Sequence, residues 1–186
     1  NVYVTSSSKP LNGLYPMEYG SKPADGGSLI LSHDEKKQLD ERCILDSIVL
    51  PYIGSTEFIA GKQRFCLWVD ETNISKALSI PEIASRIASV KAFRESSTKK
   101  PTKEAASWPH AFVEIRYSRN SASVSPFIVP IHTSENREYL PVGILPVGSV
   151  ISNAAFAIYD APLWCMSLIV SRLHLTWIAT VCGKIK

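Results

Sequence analysis

The run from Leu163 to Val181 is the one stretch apolar enough to raise the question of a membrane, and Arg172 and His174 stand near its middle. An arginine at a bilayer centre costs at least ~2.5 kcal/mol on insertion scales. The run is therefore expected to be a long buried core helix, opened by Pro162 and reaching about Thr180, with no membrane as partner. Burying such a helix takes a sizeable core. The chain can supply one, since 186 residues, 45% hydrophobic and 20% charged, make one ordinary globular domain.

A net charge of +3 argues for nothing until the basic residues are located. Cys43, Cys66, Cys165 and Cys182 form no CxxC pair and stand at no metal-ligand spacing from a histidine. They read as buried thiols of a reducing, cytoplasmic compartment. The polar opening Asn1 to Ser8 carries no secretory signal. The missing initiator methionine and the ending at Gly183 to Lys186 read as the edges of a piece of a longer protein.

Residues 1–27 form an irregular lead-in rich in Ser, Pro and Gly. Ser32 with Glu35 three residues on is a capping box, which predicts a short helix over 33–41. The β-branched run 48–53 predicts a strand, Glu57-Phe58-Ile59 between Gly54 and Gly61 a strand or hairpin element, and 64–69 a further strand. The clearest helix opens at Pro81, with Glu82 at its positive end, and runs to about Ser97. Ile83, Ile87, Val90 and then Phe93 or Arg94 follow the spacing of one face. Lys99-Lys100-Pro101 ends it, and a second short helix covers 102–107. Strands are expected at 112–117, 127–131, 139–145, 150–151 and 155–158. This order predicts an α+β fold: a mixed sheet with a long buried C-terminal helix in a single compact domain.

No reaction centre emerges. There is no glycine-rich phosphate loop and no GxSxG elbow, and the histidines at 33, 110, 132 and 174 are too dispersed to mark a metal site. Ser171, His174 and Asp160 could be assembled into a triad, but such trios arise by chance in any chain this long. Two polar clusters stand out instead. Arg86, Lys91, Arg94, Lys99, Lys100 and Lys103, interleaved with Ser96, Ser97, Thr98 and Thr102, offer what phosphate oxygens accept, although Glu82, Glu95 and Glu104 dilute the charge. The segment 133–139 gathers Glu135, Asn136, Arg137, Glu138 and Tyr139 between two expected strands. Such side chains can pair with cytosine, adenine and guanine edges, or close an internal salt-bridged turn through Arg137 and a neighbouring glutamate.

An ordered set of segments then carries a resemblance. Pro16-Met17-Glu18-Tyr19-Gly20, Asp25-Gly26-Gly27, residues 61–68, Phe93-Arg94-Glu95-Ser96-Ser97, Ser134-Glu135-Asn136-Arg137, residues 139–143 and Ser171-Arg172-Leu173-His174-Leu175-Thr176-Trp177 occur in sequence. Together they resemble the target-recognition region of MmeI-like restriction–modification enzymes and their methyltransferase-only relatives, from about Leu11 to Lys186. The resemblance implies a domain, residues 1–186, that reads duplex DNA for a class I, S-adenosylmethionine-dependent adenine-N6 methyltransferase, some members carrying a nuclease. The catalytic Asn-Pro-Pro-Tyr/Phe motif of that family lies upstream, and no Asn-Pro dipeptide occurs here. No catalytic, cofactor-binding or metal residue is therefore expected in this chain. The implied partners are double-stranded DNA and the catalytic methyltransferase domain of the same polypeptide.

Carried over by position, Arg94, Ser97, Lys99, Thr102 and Lys103 are assigned to the phosphate backbone, and Glu135, Asn136, Arg137 and Tyr139 to the DNA surface. His174 and Trp177 read as a packed pair in the last helix. Two rivals stand beside this reading: a module that docks the catalytic domain without reading bases, and a free-standing hydrolase.

Overall fold

In the computed structural model, which describes residues 14–40, 48–116, 125–134 and 136–181, the short apolar segments pair as strands. These are β1 (Glu18–Tyr19), β2 (Ile30–Leu31), β3 (Val49–Ile53), β4 (Phe65–Leu67), β5 (Phe127–Pro130), β6 (Gly143–Ile144), β7 (Val150–Ile151) and β8 (Ala155–Ile158). The helices are α1 (His33–Asp40), α2 (Ser55–Ala60), α3 (Ile74–Leu78), α4 (Pro81–Glu95), α5 (Lys100–Glu104), α6 (Leu163–Val170) and α7 (Arg172–Val181), with a 3-10 turn at Ala105–Ser107. Among the described residues they build two four-stranded sheets, ordered β2-β4-β3-β7 and β1-β8-β5-β6. All pairings are antiparallel except β3 with β7. The α+β expectation holds, with two sheets where one was expected.

The larger core lies on the first sheet. Leu31, Leu50, Leu67 and Val150 meet Ile83, Ile87 and Val90 of α4, and Phe112 closes against Tyr52 and Trp68. Smaller clusters line the second sheet, one around Ile128, Ile151 and Ala157, the other where Phe127 and Ile158 meet Cys165 of α6.

The two sheets join at a narrow seam. Gly20 N–H donates to Ala155 O at 3.0 Å, Ser21 N–H to Ile151 O at 2.7 Å, and Ser152 N–H to Ile53 O at 2.9 Å. A Cβ on Gly20 would lie 2.3 Å from the Ile151 carbonyl oxygen and 2.4 Å from that of Ser152, so the backbones approach this closely only because the position is glycine.

Local chemistry explains the elements. The expected capping box is present: Glu35 N–H donates to Ser32 Oγ at 3.2 Å, and Ser32 N–H donates to the Glu35 carboxylate at 2.8 Å. Pro81 occupies the first turn of α4 as read. Glu57-Phe58-Ile59 is helical, contrary to the strand expectation. Gly54 N–H donates to the Glu57 carboxylate at 2.9 Å, and Gly61 closes α2 in the left-handed region at φ 64°. The two glycines are caps and not strand brackets. The strand expected at 112–117 reduces to a single bridge between Lys22 and Glu114, with Tyr117 outside the described residues, and that at 139–145 to β6.

The C-terminal helix departs most from expectation. It is neither continuous nor buried. Helices α6 and α7 meet at 56° across Ser171, and among their residues only Cys165 is buried. The Ser171 hydroxyl donates to Leu168 O at 2.7 Å and accepts the His174 N–H at 3.1 Å, ending one helix and capping the next. Among the described residues no single helix is long and apolar enough to cross a membrane. Cys66 and Cys165 are buried free thiols, and burial pushes the Cys66 thiol up; Cys43 and Cys182 lie outside the described residues.

Candidate nucleic-acid interface

The first cluster hangs on the C-terminal end of α4, and here one assignment is corrected. Arg94 is 0% exposed. Its Nε donates to Ala24 O at 3.0 Å, its Nη1 to Ala105 O and Trp108 O at 2.9 Å each, and its Nη2 to Pro23 O at 2.8 Å and Ala111 O at 2.7 Å. All five guanidinium donors are thereby spent on backbone carbonyls. Burial lowers the Arg94 pKa, and the neighbouring Asp25 carboxylate opposes that shift. A side chain so enclosed has no donor left for a phosphate. Arg94 instead ties the lead-in at 23–24 to the turn that follows α5.

Arg86 also faces inward, paired with Glu35 and donating to Ser28 O at 3.1 Å. Lys91 and Lys100 stand within 4.0 Å and 3.9 Å of Glu95 and Glu104 along their own helices. Lys99 and Lys103 are exposed, whereas Ser97 and Thr102 are half-buried. Lys99 N–H donates to Ser97 Oγ at 3.2 Å, which fixes the short link between α4 and α5.

The second cluster leaves β5 and passes over α6. Ser134 shapes it: its Oγ accepts the Asn136 N–H and its carbonyl the Arg137 N–H, both at 3.2 Å. Asn136, Arg137, Glu138 and Tyr139 are exposed, and Glu135 lies outside the described residues. Glu138 pairs across to Arg172 of α7 at 3.3 Å, a partner the sequence reading did not foresee. Arg137 to Val142 wall a groove of about 400 Å³ against Met166 and Val170 of α6. An amide, a guanidinium and a phenol thus stand together on one exposed ledge.

The imagined triad does not form. The Ser171 hydroxyl is engaged in the helix break, and His174 Nδ1 lies 2.8 Å from the Ile169 carbonyl, which can only accept, so Nδ1 carries the proton there. His174 lines an apolar groove together with Trp177. No group of three or more His, Cys, Asp or Glu that could hold a metal occurs among the described residues.

Known proteins share this architecture. The family model of the MmeI target recognition domain matches residues 1–186. DNA methyltransferase A of Bacillus subtilis (strain 168) is 35% identical over 187 residues, covering 100% of this chain and 21% of its own length. A solved structure of the type IIL restriction–modification enzyme MmeI in complex with DNA superposes with a TM-score of 0.87 at 31% identity, over 100% of this chain and 24% of that one. The chain therefore spans about a fifth to a quarter of the length of these relatives, and it belongs to the MmeI target recognition domain family.

Proposed function

We propose that this domain reads a duplex DNA sequence on behalf of a DNA adenine-N6 methyltransferase of the restriction–modification type and positions the target base for a separate catalytic domain. The observation that carries the reading is the exposed ledge Asn136-Arg137-Tyr139, held by Ser134 and by the Glu138–Arg172 pair, in a chain whose solved relative is bound to DNA. Asn pairs bidentately with adenine and Arg with guanine, each good pair discriminating by ~1–3 kcal/mol. Glu135 belongs to the same segment and to the same proposal. Lys99 and Lys103 carry the backbone contacts, with Ser97 and Thr102 at their margin, and they position without specifying.

The methyl donor, S-adenosylmethionine, and a catalytic domain of the same polypeptide go with this reading. Neither a glycine-rich loop nor an Asn-Pro dipeptide occurs in the sequence, so this reading places the donor and the reaction in that domain. The same reading places the enzyme with the DNA that it modifies, in the cytoplasm.

The test is a titration of the full-length enzyme with duplex DNA at rising salt. Each neutralised phosphate contributes about −0.9 to the log–log slope. Lys99→Ala and Lys103→Ala are each expected to flatten the slope by about one unit and weaken all sequences alike. Arg137→Ala is expected to change or abolish the methylated motif. A parental motif, rate and salt slope in all three variants would sink the proposal.

A further inference from the structure

Helix α2 follows β3 of the first sheet along the chain, yet it packs on the second. Phe58 lies against the cluster that holds Ile128, Leu145 and Ile151. Ser55, in the first turn, spends its hydroxyl at long range. Its Oγ donates to Ala154 O and accepts the Ile131 N–H at 3.1 Å, partners 99 and 76 positions away. Phe58 sits so close over Gly143 that a Cβ there would stand 2.2 Å from its Cε2 and 2.5 Å from its Cζ. Ordinary carbon–carbon contact is at ~3.5–4.0 Å, so the ring keeps this seat only over a residue without a side chain.

Ile131 and Gly143 are the two ends of the segment that carries the ledge. The chain leaves β5 just before Ile131 and rejoins the sheet at Gly143, which pairs with Ile128. Between these points residues 132–134 and 136–139 are exposed. A stretch with so little core beneath it takes its position from its ends. Both ends meet one short helix, through side chains three residues apart and hence on one face of it.

We propose that α2 positions the ledge for base reading, Ser55 fixing the backbone where it leaves β5 and Phe58 fixing it where it returns at Gly143. The inference rests on reading residues 136–139 as the DNA-facing surface. Ser55 and Phe58 act through Asn136, Arg137 and Tyr139, and are positioning residues. A binding constellation tolerates displacements of only about 0.5 Å and 10–20°. A small shift at either end therefore costs discrimination before it costs binding, because Lys99 and Lys103 are carried by other elements.

The test compares two dissociation constants of the full-length enzyme, read by fluorescence anisotropy. One is for a duplex holding the motif that the enzyme methylates, the other for a duplex with a single base pair of that motif changed. Loss of folded protein weakens both alike and leaves their ratio unchanged, so the ratio reports the ledge and not stability. Ser55→Ala and Gly143→Ala are each expected to reduce the ratio on the order of 10-fold, within what one base contact discriminates, with the salt slope unchanged. Adding Phe58→Leu to Gly143→Ala is expected to recover most of that loss, since the shorter side chain makes room for the methyl. Parental ratios in Ser55→Ala and Gly143→Ala overturn the proposal, and so does equal weakening of both duplexes. A double variant no better than Gly143→Ala removes Phe58 from it. Arg137→Ala separates the two readings. A parental ratio there removes base reading by the ledge itself, whereas a reduced ratio beside parental ones in Ser55→Ala and Gly143→Ala removes only the role of α2.

Discussion

Arg94 shows how a charged side chain becomes a structural hub. A guanidinium is tolerated at 0% exposure because each of its five donors meets a carbonyl and the Asp25 carboxylate stands nearby. Removing it leaves the buried Ala105 carbonyl and four part-buried ones without this donor, a buried unpaired carbonyl costing ~1–3 kcal/mol. Arg94→Met is expected to lower unfolding stability by more than about 3 kcal/mol, and Arg94→Lys to rescue little, since an ammonium has three donors and no fork. Urea unfolding checks both; a loss under about 1 kcal/mol in the Met variant would contradict the hub. His110 belongs to the same region. Burial, and then the Arg94 charge, hold its pKa below the ordinary 6.5, with Glu71 opposing. The unfolded chain therefore binds this proton first. The His110 contribution is complete above pH 6.5 and is lost as pH falls from there toward the lower folded value. His110→Gln is expected to flatten the decline in stability between pH 7.5 and 5, measured by urea midpoints at each pH.

Elements here are set by their ends. The Ser32–Glu35 box starts α1, and the same carboxylate then receives Arg86 from α4, so one side chain caps a helix and ties it to the core helix. Ser32→Ala is expected to cost about 1 kcal/mol in urea unfolding, the ordinary worth of an N-cap. The Ser171 break does the opposite service, turning one apolar run into two helices whose exposed faces flank a cavity. Helix α7 also reaches the exposed ledge at Asn136 to Tyr139 through Arg172 and Glu138, whose side chains are 71% and 61% exposed. A pair so open to water contributes little to folding. Arg172→Ala should accordingly leave the unfolding midpoint unchanged while lowering the discrimination between cognate and non-cognate duplexes, read as the ratio of their dissociation constants.

Across the whole molecule the two polar clusters ride on different supports. Lys99 and Lys103 follow the helix that packs on the first sheet, and Asn136 to Tyr139 lie over the helix that packs beside the second. Their relative position depends on the seam at Gly20 to Lys22, where the sheets exchange backbone hydrogen bonds. Gly20→Ala forces a methyl to 2.3 Å from a carbonyl oxygen and is expected to destabilise by about 1–3 kcal/mol. Because the seam also aligns the two clusters, that variant should weaken DNA binding at temperatures where it remains folded. Thermal unfolding and anisotropy on one preparation separate the two effects.

The sequence by itself determined what depends on neighbours along the chain. The capping box at Ser32, the proline start and the buried stripe of α4, the core strands and the family all follow from short-range spacing or ordered motifs. That same stripe already carried Arg94: the positions 83, 87, 90 and 94 share one face, and assigning Arg94 to phosphate set residue type above periodicity. Tertiary structure alone decided the rest. Whether a glycine pair brackets a strand or caps a helix depends on where Glu57 and Arg64 point. Whether an apolar run is buried depends on what packs against it, and α6–α7 meet too little of their own domain. Which charges face water depends on carbonyls that arrive from as far as Pro23, 71 residues from Arg94. Burial and hydrogen-bond partnership are properties of distant segments brought together, and no local pattern encodes them.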